Sequence, residues 1–245
     1  MQYNFSSMSL KETFTRFARV ELPAPRYLAP LSAGIDISAS GIKLAVIKER
    51  LHGLELIGYG VGPLEIGAMN GGEIADRTAV VGAMRMLAKE HNIRFANVAL
   101  SESRSYLFEA DVPGHSKNEW RTAVEQHIDE FVPLPPSETS FDITPTDIGG
   151  ELTHVAGVGY ASRIIDESLL ALDEAGIEAV AIESENFALP RALLPVLSDE
   201  TVLIIDLGRT TTKLVIVEKR VPRFATTLDI GGHALTLAVI KYFGV

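Results

Sequence analysis

Apolar and polar positions trade places over residues 31–37, 42–48 and 54–61, with Ser-Ala-Ser-Gly and then His-Gly between them, which predicts three strands joined by short turns as an antiparallel meander. Over 76–91 the period changes. Val80, Met84, Leu87 and Ala88 recur at helical spacing and make one apolar stripe. Strands at 97–100 and 106–112 follow, then one helix over 117–131 carrying Trp120, Val124 and Ile128 and stopped by Val-Pro-Leu-Pro-Pro. Beyond it come strands at 140–143 and 153–161, a helix at 164–175 closed by Gly176, and a strand at 179–183. A short helix at 187–194, a second meander over 201–227 and a helix at 234–243 complete the pattern. Residues 1–30 read as an appendage: Leu10, Phe14 and Phe17 fall at helical spacing, and Pro23, Pro25 and Pro30 then break the chain. Lys11, Arg16 and Arg19 leave open a helix docked on the domain or one lying on a membrane surface.

Composition narrows this picture. A chain of 245 residues, 47% hydrophobic, can bury one large core or two small ones. No apolar run approaches the roughly 18–20 residues that cross a bilayer, and the start of the chain has no uncharged core or small-residue cleavage site, so neither a membrane span nor secretion is expected. The absence of cysteine excludes disulfides, thiolate metal sites and cysteine nucleophiles. A formal charge of -10 opposes a phosphate backbone, and nucleic acid is not an expected partner. The six histidines lack paired metal-ligand spacing. Ser101, Ser103 and Ser105 around Glu102 lack a nucleophile-elbow context, and the alternate glycines 58, 60 and 62 sit in a strand pattern; both read as strand or turn chemistry.

Candidate chemistry lies in a repeat. Gly-Ile-Asp36-Ile-Ser-Ala-Ser-Gly-Ile-Lys43 is matched by Ile-Asp206-Leu-Gly-Arg-Thr-Thr-Thr-Lys213, and each runs from an apolar strand through Asp, a small or hydroxylated turn and Lys into another apolar strand. Small turn residues let backbone N–H groups approach phosphate oxygens, hydroxyls add donors and lysine adds charge. An aspartate at the strand end would repel phosphate directly, so its natural role is to hold Mg²⁺ through water. Two such hairpins facing each other would clamp a triphosphate.

At these residues the chain resembles the actin, sugar-kinase and Hsp70 ATPase superfamily and, within it, the PilM family of type IV pilus assembly proteins. Asp111-Val-Pro, Glu130-Phe-Val-Pro-Leu-Pro, Phe141-Asp142, the stretches 171–177 and 182–192, and Asp229-Ile-Gly-Gly-His add to the likeness by their order, over about Ala33 to the end of the chain. The resemblance implies an α/β, actin-like (ribonuclease H-like) fold of mixed five-stranded sheets flanked by helices. It divides the chain into an appendage at 1–30, a first domain at 31–195 with an inserted subdomain at about 97–162, and the start of a second, incomplete domain at 196–245.

The resemblance also implies ATP and Mg²⁺ as cofactors. Asp36 and Asp206 would be the Mg²⁺-associated acids, Ser38, Ala39 and Ser40 the first phosphate turn, and Gly208, Arg209, Thr210, Thr211 and Thr212 the second. Lys43 would face phosphate, and Glu185 would position an attacking water. Three positions depart from the family: Ser38 and Ala39 stand where Gly and Ser are usual, and Arg209 where a small residue is usual. The family continues past the Gly231-Gly232 turn to an adenosine-binding loop, so truncation and loss of catalysis are expected. The implied partner is the cytoplasmic tail of a PilN-like inner-membrane pilus protein, held in a groove involving residues 112–142 with Trp120 and Phe131, at a cytoplasmic location peripheral to the inner membrane. A small-molecule kinase and the cytoplasmic domain of a GspL-like type II secretion protein are the alternatives.

Overall fold

Three antiparallel strands, β1 (Ser32–Ser38), β2 (Gly41–Arg50) and β3 (Gly53–Gly62), open the computed structural model, which describes residues 31–51, 53–148 and 151–244. The expected appendage at 1–30 lies outside the described residues. A two-stranded ribbon, β4 (Met69–Asn70) and β5 (Glu73–Ile74), leads into α1 (Arg77–His91). Asp76 caps α1 by accepting from the Ala79 N–H, and Asn92 closes it in the left-handed region. After α1, β6 (Phe95–Leu100) runs parallel to β1.

The middle section is β7 (Tyr106–Pro113), α2 (Lys117–Glu125), α3 (Ile128–Phe131), β8 (Thr139–Ile148) and β9 (Leu152–Ala161). Then come α4 (Ser162–Ala175), β10 (Glu178–Ser184) and α5 (Glu185–Leu193). A last meander, β11 (Thr201–Leu207), β12 (Thr212–Glu218) and β13 (Val221–Leu228), precedes α6 (Gly232–Phe243).

The strands form one mixed five-stranded sheet in the order β10-β6-β1-β2-β3, a three-stranded sheet β7-β9-β8 and a second three-stranded sheet β11-β12-β13. The five-stranded sheet buries Ile35, Val46 and Val98 against Met84 and Leu87 of α1 and Leu172 of α4. The alternate glycines of β3 now have a reason. A Cβ on Gly60 would come within 2.7 Å of Leu87 Cδ2 and one on Gly62 within 3.0 Å of Ala83 Cβ, so their bare backbone lets α1 lie close over the sheet.

Around β7-β9-β8 a separate core gathers Phe108, Trp120, Val124, Ile128 and Val155. The helix expected over 117–131 is two helices. The ladder ends at Gln126, whose N–H still bonds Thr122 O, and His127 bonds Val124 O instead; Trp120 is tied back to Gly114 O at 2.9 Å while Ile128 reaches the same core from a new axis. Both outer strands of this sheet carry proline, Pro113 in β7 and Pro145 in β8, and Pro145 sits at a register shift, as expected of edge strands.

Candidate functional site

The two repeated segments fold as the same hairpin. Asp36 stands opposite Lys43 in the β1–β2 ladder, and Asp206 stands opposite Lys213 in the β11–β12 ladder. Opposed residues project to one face of the sheet, so each hairpin presents an acid and a lysine together. The equal Asp-to-Lys spacing in the sequence is therefore an equal register in space.

Both turns reach one cavity of about 310 Å³. Its wall includes Ser38, Ala39, Ser40 and Lys43 from the first hairpin and Asp206, Gly208, Arg209, Thr210, Thr211 and Lys213 from the second. Glu185, the first residue of α5, lies on the same wall. Two of the expected residues stand off it. Asp36 pairs behind the wall with Lys43 at 2.7 Å, and the Thr212 hydroxyl donates to Ile230 O at 2.5 Å, away from the cavity.

The turns differ in how they are held. In the first, Ser38 Oγ donates to Gly41 O at 3.0 Å and shares a hydrogen bond with Ser40 Oγ. In the second, Gly208 N–H bonds Thr211 O, while Gly208 O and Arg209 O accept from Gly232 and His233 at the start of α6. A Cβ on Gly231 would meet Arg209 and Thr210 backbone at 2.6–2.7 Å, which is why a glycine stands at that position.

The lysines also differ. Lys43 is 54% exposed, whereas Lys213 is 11% exposed and lies among three carboxylates. It pairs with Glu185, with Glu102 at 3.1 Å and with Asp206 at 3.8 Å. Thr227 on β13 donates to the second oxygen of Glu102. Burial, helped by the fields of Asp36 and Glu102, pushes Glu185 up to about 8 against the pull of Lys213. For Lys213, burial works against the charge, but Glu185 and Glu102 outweigh it and hold the ammonium above its usual range. Glu102 is buried too, yet the Thr227 hydrogen bond and Lys213 leave it below the usual carboxylate range.

Several cavity residues escaped sequence reasoning. Gly71 and Gly72 of the β4–β5 ribbon and Ser101 and Ser103 after β6 line the wall. Glu102 lies behind it as the buried partner of Lys213. The available signal was the Ser-Glu-Ser cluster directly after an apolar strand, where a buried acid needs a cation from elsewhere in the fold.

The donor set suits a hydrated magnesium nucleotide. Asp36 Oδ1 is buried with no hydrogen-bond partner, which leaves a free acceptor beside Lys43. Among the described residues no three His, Asp or Glu side chains converge closely enough to hold a metal directly. Asp206 is the aspartate that lies on the cavity wall, where a carboxylate can meet the water of a hydrated ion.

A family profile described as type IV pilus assembly protein PilM matches residues 34–245. Among solved structures, the PilM–PilN type IV pilus biogenesis complex is similar at 26% identity and a TM-score of 0.75, over 90% of this chain and 67% of the matched one. The cytoplasmic domain of EpsL, an inner-membrane component of the Vibrio cholerae type II secretion system, matches at 13% identity and a TM-score of 0.56, over 82% of this chain and 71% of its own. The ethanolamine utilization protein EutJ from Carboxydothermus hydrogenoformans matches at 16% identity and a TM-score of 0.52, over 91% of this chain and 59% of its own. The last two show the fold alone, the actin-like α/β architecture that the family resemblance implied. With the profile spanning both hairpins and everything between them, the chain belongs to the PilM family of type IV pilus assembly proteins.

Proposed function

We propose that this chain is a cytoplasmic, actin-like adaptor of type IV pilus assembly. It holds Mg-ATP between its two hairpins and the short, extended tail of a PilN-like inner-membrane protein in a separate groove. The observation that carries the nucleotide half is the convergence of both hairpin turns on one cavity with Glu185 between them. In this reading the backbone and hydroxyls of residues 38–40 and 208–211 receive phosphate oxygens, and Lys43 supplies charge from an exposed stem. Asp206 on the cavity wall would hold the water of a Mg²⁺ ion that offsets phosphate charge, and Asp36 behind the wall positions Lys43. Glu185 orients a water at the phosphates when it has lost its proton. In this reading the boundary between a domain at 31–195 and the start of another at 196–245 falls between α5 and β11.

The peptide half is supported by a second cavity of about 360 Å³ bounded by two strand edges, β8 through Phe141 and Asp142 and β10 through Ile182 and Glu183. Phe187 and Arg191 of α5 close it. Free edges offer backbone hydrogen bonds to an extended chain, and the apolar side chains between them offer sites for alternate residues. The PilM–PilN complex is the relative that makes a pilus tail the preferred occupant. Of the residues expected there, Trp120 is core, tied to Gly114 O, whereas Phe131 reaches a different cavity. The adaptor's membrane attachment is through its partner; among the described residues no helix is long and apolar enough to cross a membrane.

Mg-ATP titration of the full chain tests the nucleotide half. Asp36→Ala and Asp206→Ala should each weaken binding by about 10–100-fold, the usual cost of removing a residue that orients a metal's ligands. Equal affinity in the parent and both variants would reject the clamp.

A further inference from the structure

The sheet β7-β9-β8 has two free edges, and only the β8 edge belongs to the groove described above. The other edge, β7, lines a cavity of about 560 Å³ with five consecutive residues, 109–113. Among the described residues β9 is the only strand that pairs with β7. β13 approaches it near Glu109, where Arg223 pairs with Glu109 at 2.5 Å, and no strand is laddered to the stretch from Ala110 onward. One row of backbone groups along that stretch thus has no strand partner.

The cavity wraps around this edge. Val112 of β7, Ala123 of α2 and Phe131 of α3 make its apolar side, and Phe131 is fixed by stacking on Phe108 with ring centroids 5.1 Å apart. Glu109, Asp111 and Glu130 supply its charge. Asp111 meets His154 Nδ1 at 2.8 Å and Glu130 meets His127 Nδ1 at 2.8 Å. Among the described residues the arginine at this rim is Arg223, shared between Glu109 and Glu218, so three carboxylates face one guanidinium. The rim is therefore acidic, beside an open strand edge and an apolar floor.

We propose that this edge is a second docking surface, which takes an extended segment of a partner protein with Lys or Arg at alternate positions, added as a fourth strand beside β7. Basic side chains face Glu109 and Asp111 on the exposed face of β7, and the alternate small apolar side chains face Val112 and Phe131 on the helix-covered face, where Glu130 adds its charge at the rim. Pro113 offers no N–H, so the added strand is anchored along 109–112 and ends there. The proposal stands apart from the nucleotide site and from the β8–β10 groove, neither of which shares a lining residue with it.

A fluorescein-labelled nonapeptide of alternating Arg and Val, titrated into the full chain, tests it. Saturable binding is expected, with Asp111→Lys and Glu130→Lys each weakening it by about tenfold or more. The same charge change at Glu138, outside the cavity, should leave it within about twofold. N-methylating every second residue blocks one edge of the peptide, so of the two possible methylated registers one should lose binding and the other keep it. Absence of binding, equal loss with Glu138→Lys, or full retention by both methylated peptides overturns the proposal. Equal affinity for an Arg-Gly peptide of the same charge would reduce the effect to diffuse electrostatics and overturn it as well.

Discussion

Lys43 and Lys213 occupy the same register of the same hairpin, yet one is exposed beside a single aspartate and the other is buried among three carboxylates. The difference comes from what packs over each hairpin. β12 is covered by Glu185 at the start of α5 and by Glu102 after β6, residues 83 apart in sequence that share one ammonium. Their titration sets a pH signature. Glu185 is raised from its ordinary 4.5 to about 8, so the folded state binds its proton more tightly than the unfolded state does. That contribution to stability is complete below the ordinary value and is lost as pH rises through about 8. Glu102 is lowered, so its contribution is present above the ordinary value and is lost only as pH falls through the folded value. Urea midpoints of the full chain should therefore decline from about pH 5 to pH 8, and Glu185→Gln should remove that decline. A slope unchanged by the substitution would assign the titration to another group. The duplicated Asp and Lys were legible from spacing alone, because register preserves spacing. Glu102 was not, since a buried acid is recognisable only by a cation that arrives from a distant strand.

At the scale of elements, turns and glycines carry the site. Gly41 closes the first hairpin turn with φ of 136°, and a Cβ there would sit 2.6 Å from Gly62 O. Gly41→Ala meets both a disfavoured backbone region and a backbone oxygen that cannot yield. It should cost about 1–3 kcal/mol of stability, and Mg-ATP affinity should fall with it, whereas an unaltered melting temperature would mean the hairpin shifts freely. Gly157 of β9 is a purely steric case, since a Cβ would fall 2.1 Å from Cζ of Phe108, whose ring is already stacked on Phe131. Gly157→Ala should destabilise the β7-β9-β8 sheet by about 1–3 kcal/mol, as overpacking does, with loss of near-ultraviolet aromatic signal as the readout. Hydrophobic period located nearly every strand and helix within a few residues, because most of those elements have one face on a core; α6, which buries no residue, was legible from its apolar run. The period missed the break between α2 and α3. There the apolar stripe of Trp120, Val124 and Ile128 continues in sequence while the axis turns at His127, and no proline or glycine marks the bend.

Across the whole molecule the second meander is the weakly cored part. Its buried apolar cluster is only Ile204, Val215 and Val217, with Leu189 and Leu194 of the α5 region packed against it. Much of what attaches it to the rest is polar: Lys213 to Glu102 and Glu185, Thr227 to Glu102, and Arg223 to Glu109. Lys213 touches acids from two other chain segments and is the node of that attachment. Lys213→Met removes the cation and leaves two buried glutamates facing each other, a loss of about 3–5 kcal/mol. The Lys213→Met, Glu102→Gln, Glu185→Gln triple variant removes the uncompensated charge and should recover most of it, since exchanging a whole buried ionic cluster for neutral groups costs far less than breaking it. Hydrogen exchange separates this local effect from general loosening. In the single variant, β11, β12, β13 and α6 should exchange faster while β1, β6 and α1 keep their protection, because those elements belong to a different and larger core. Uniform acceleration across both groups would mean that Lys213 supports the entire fold, and a triple variant as unstable as the single one would show that its role is packing rather than charge.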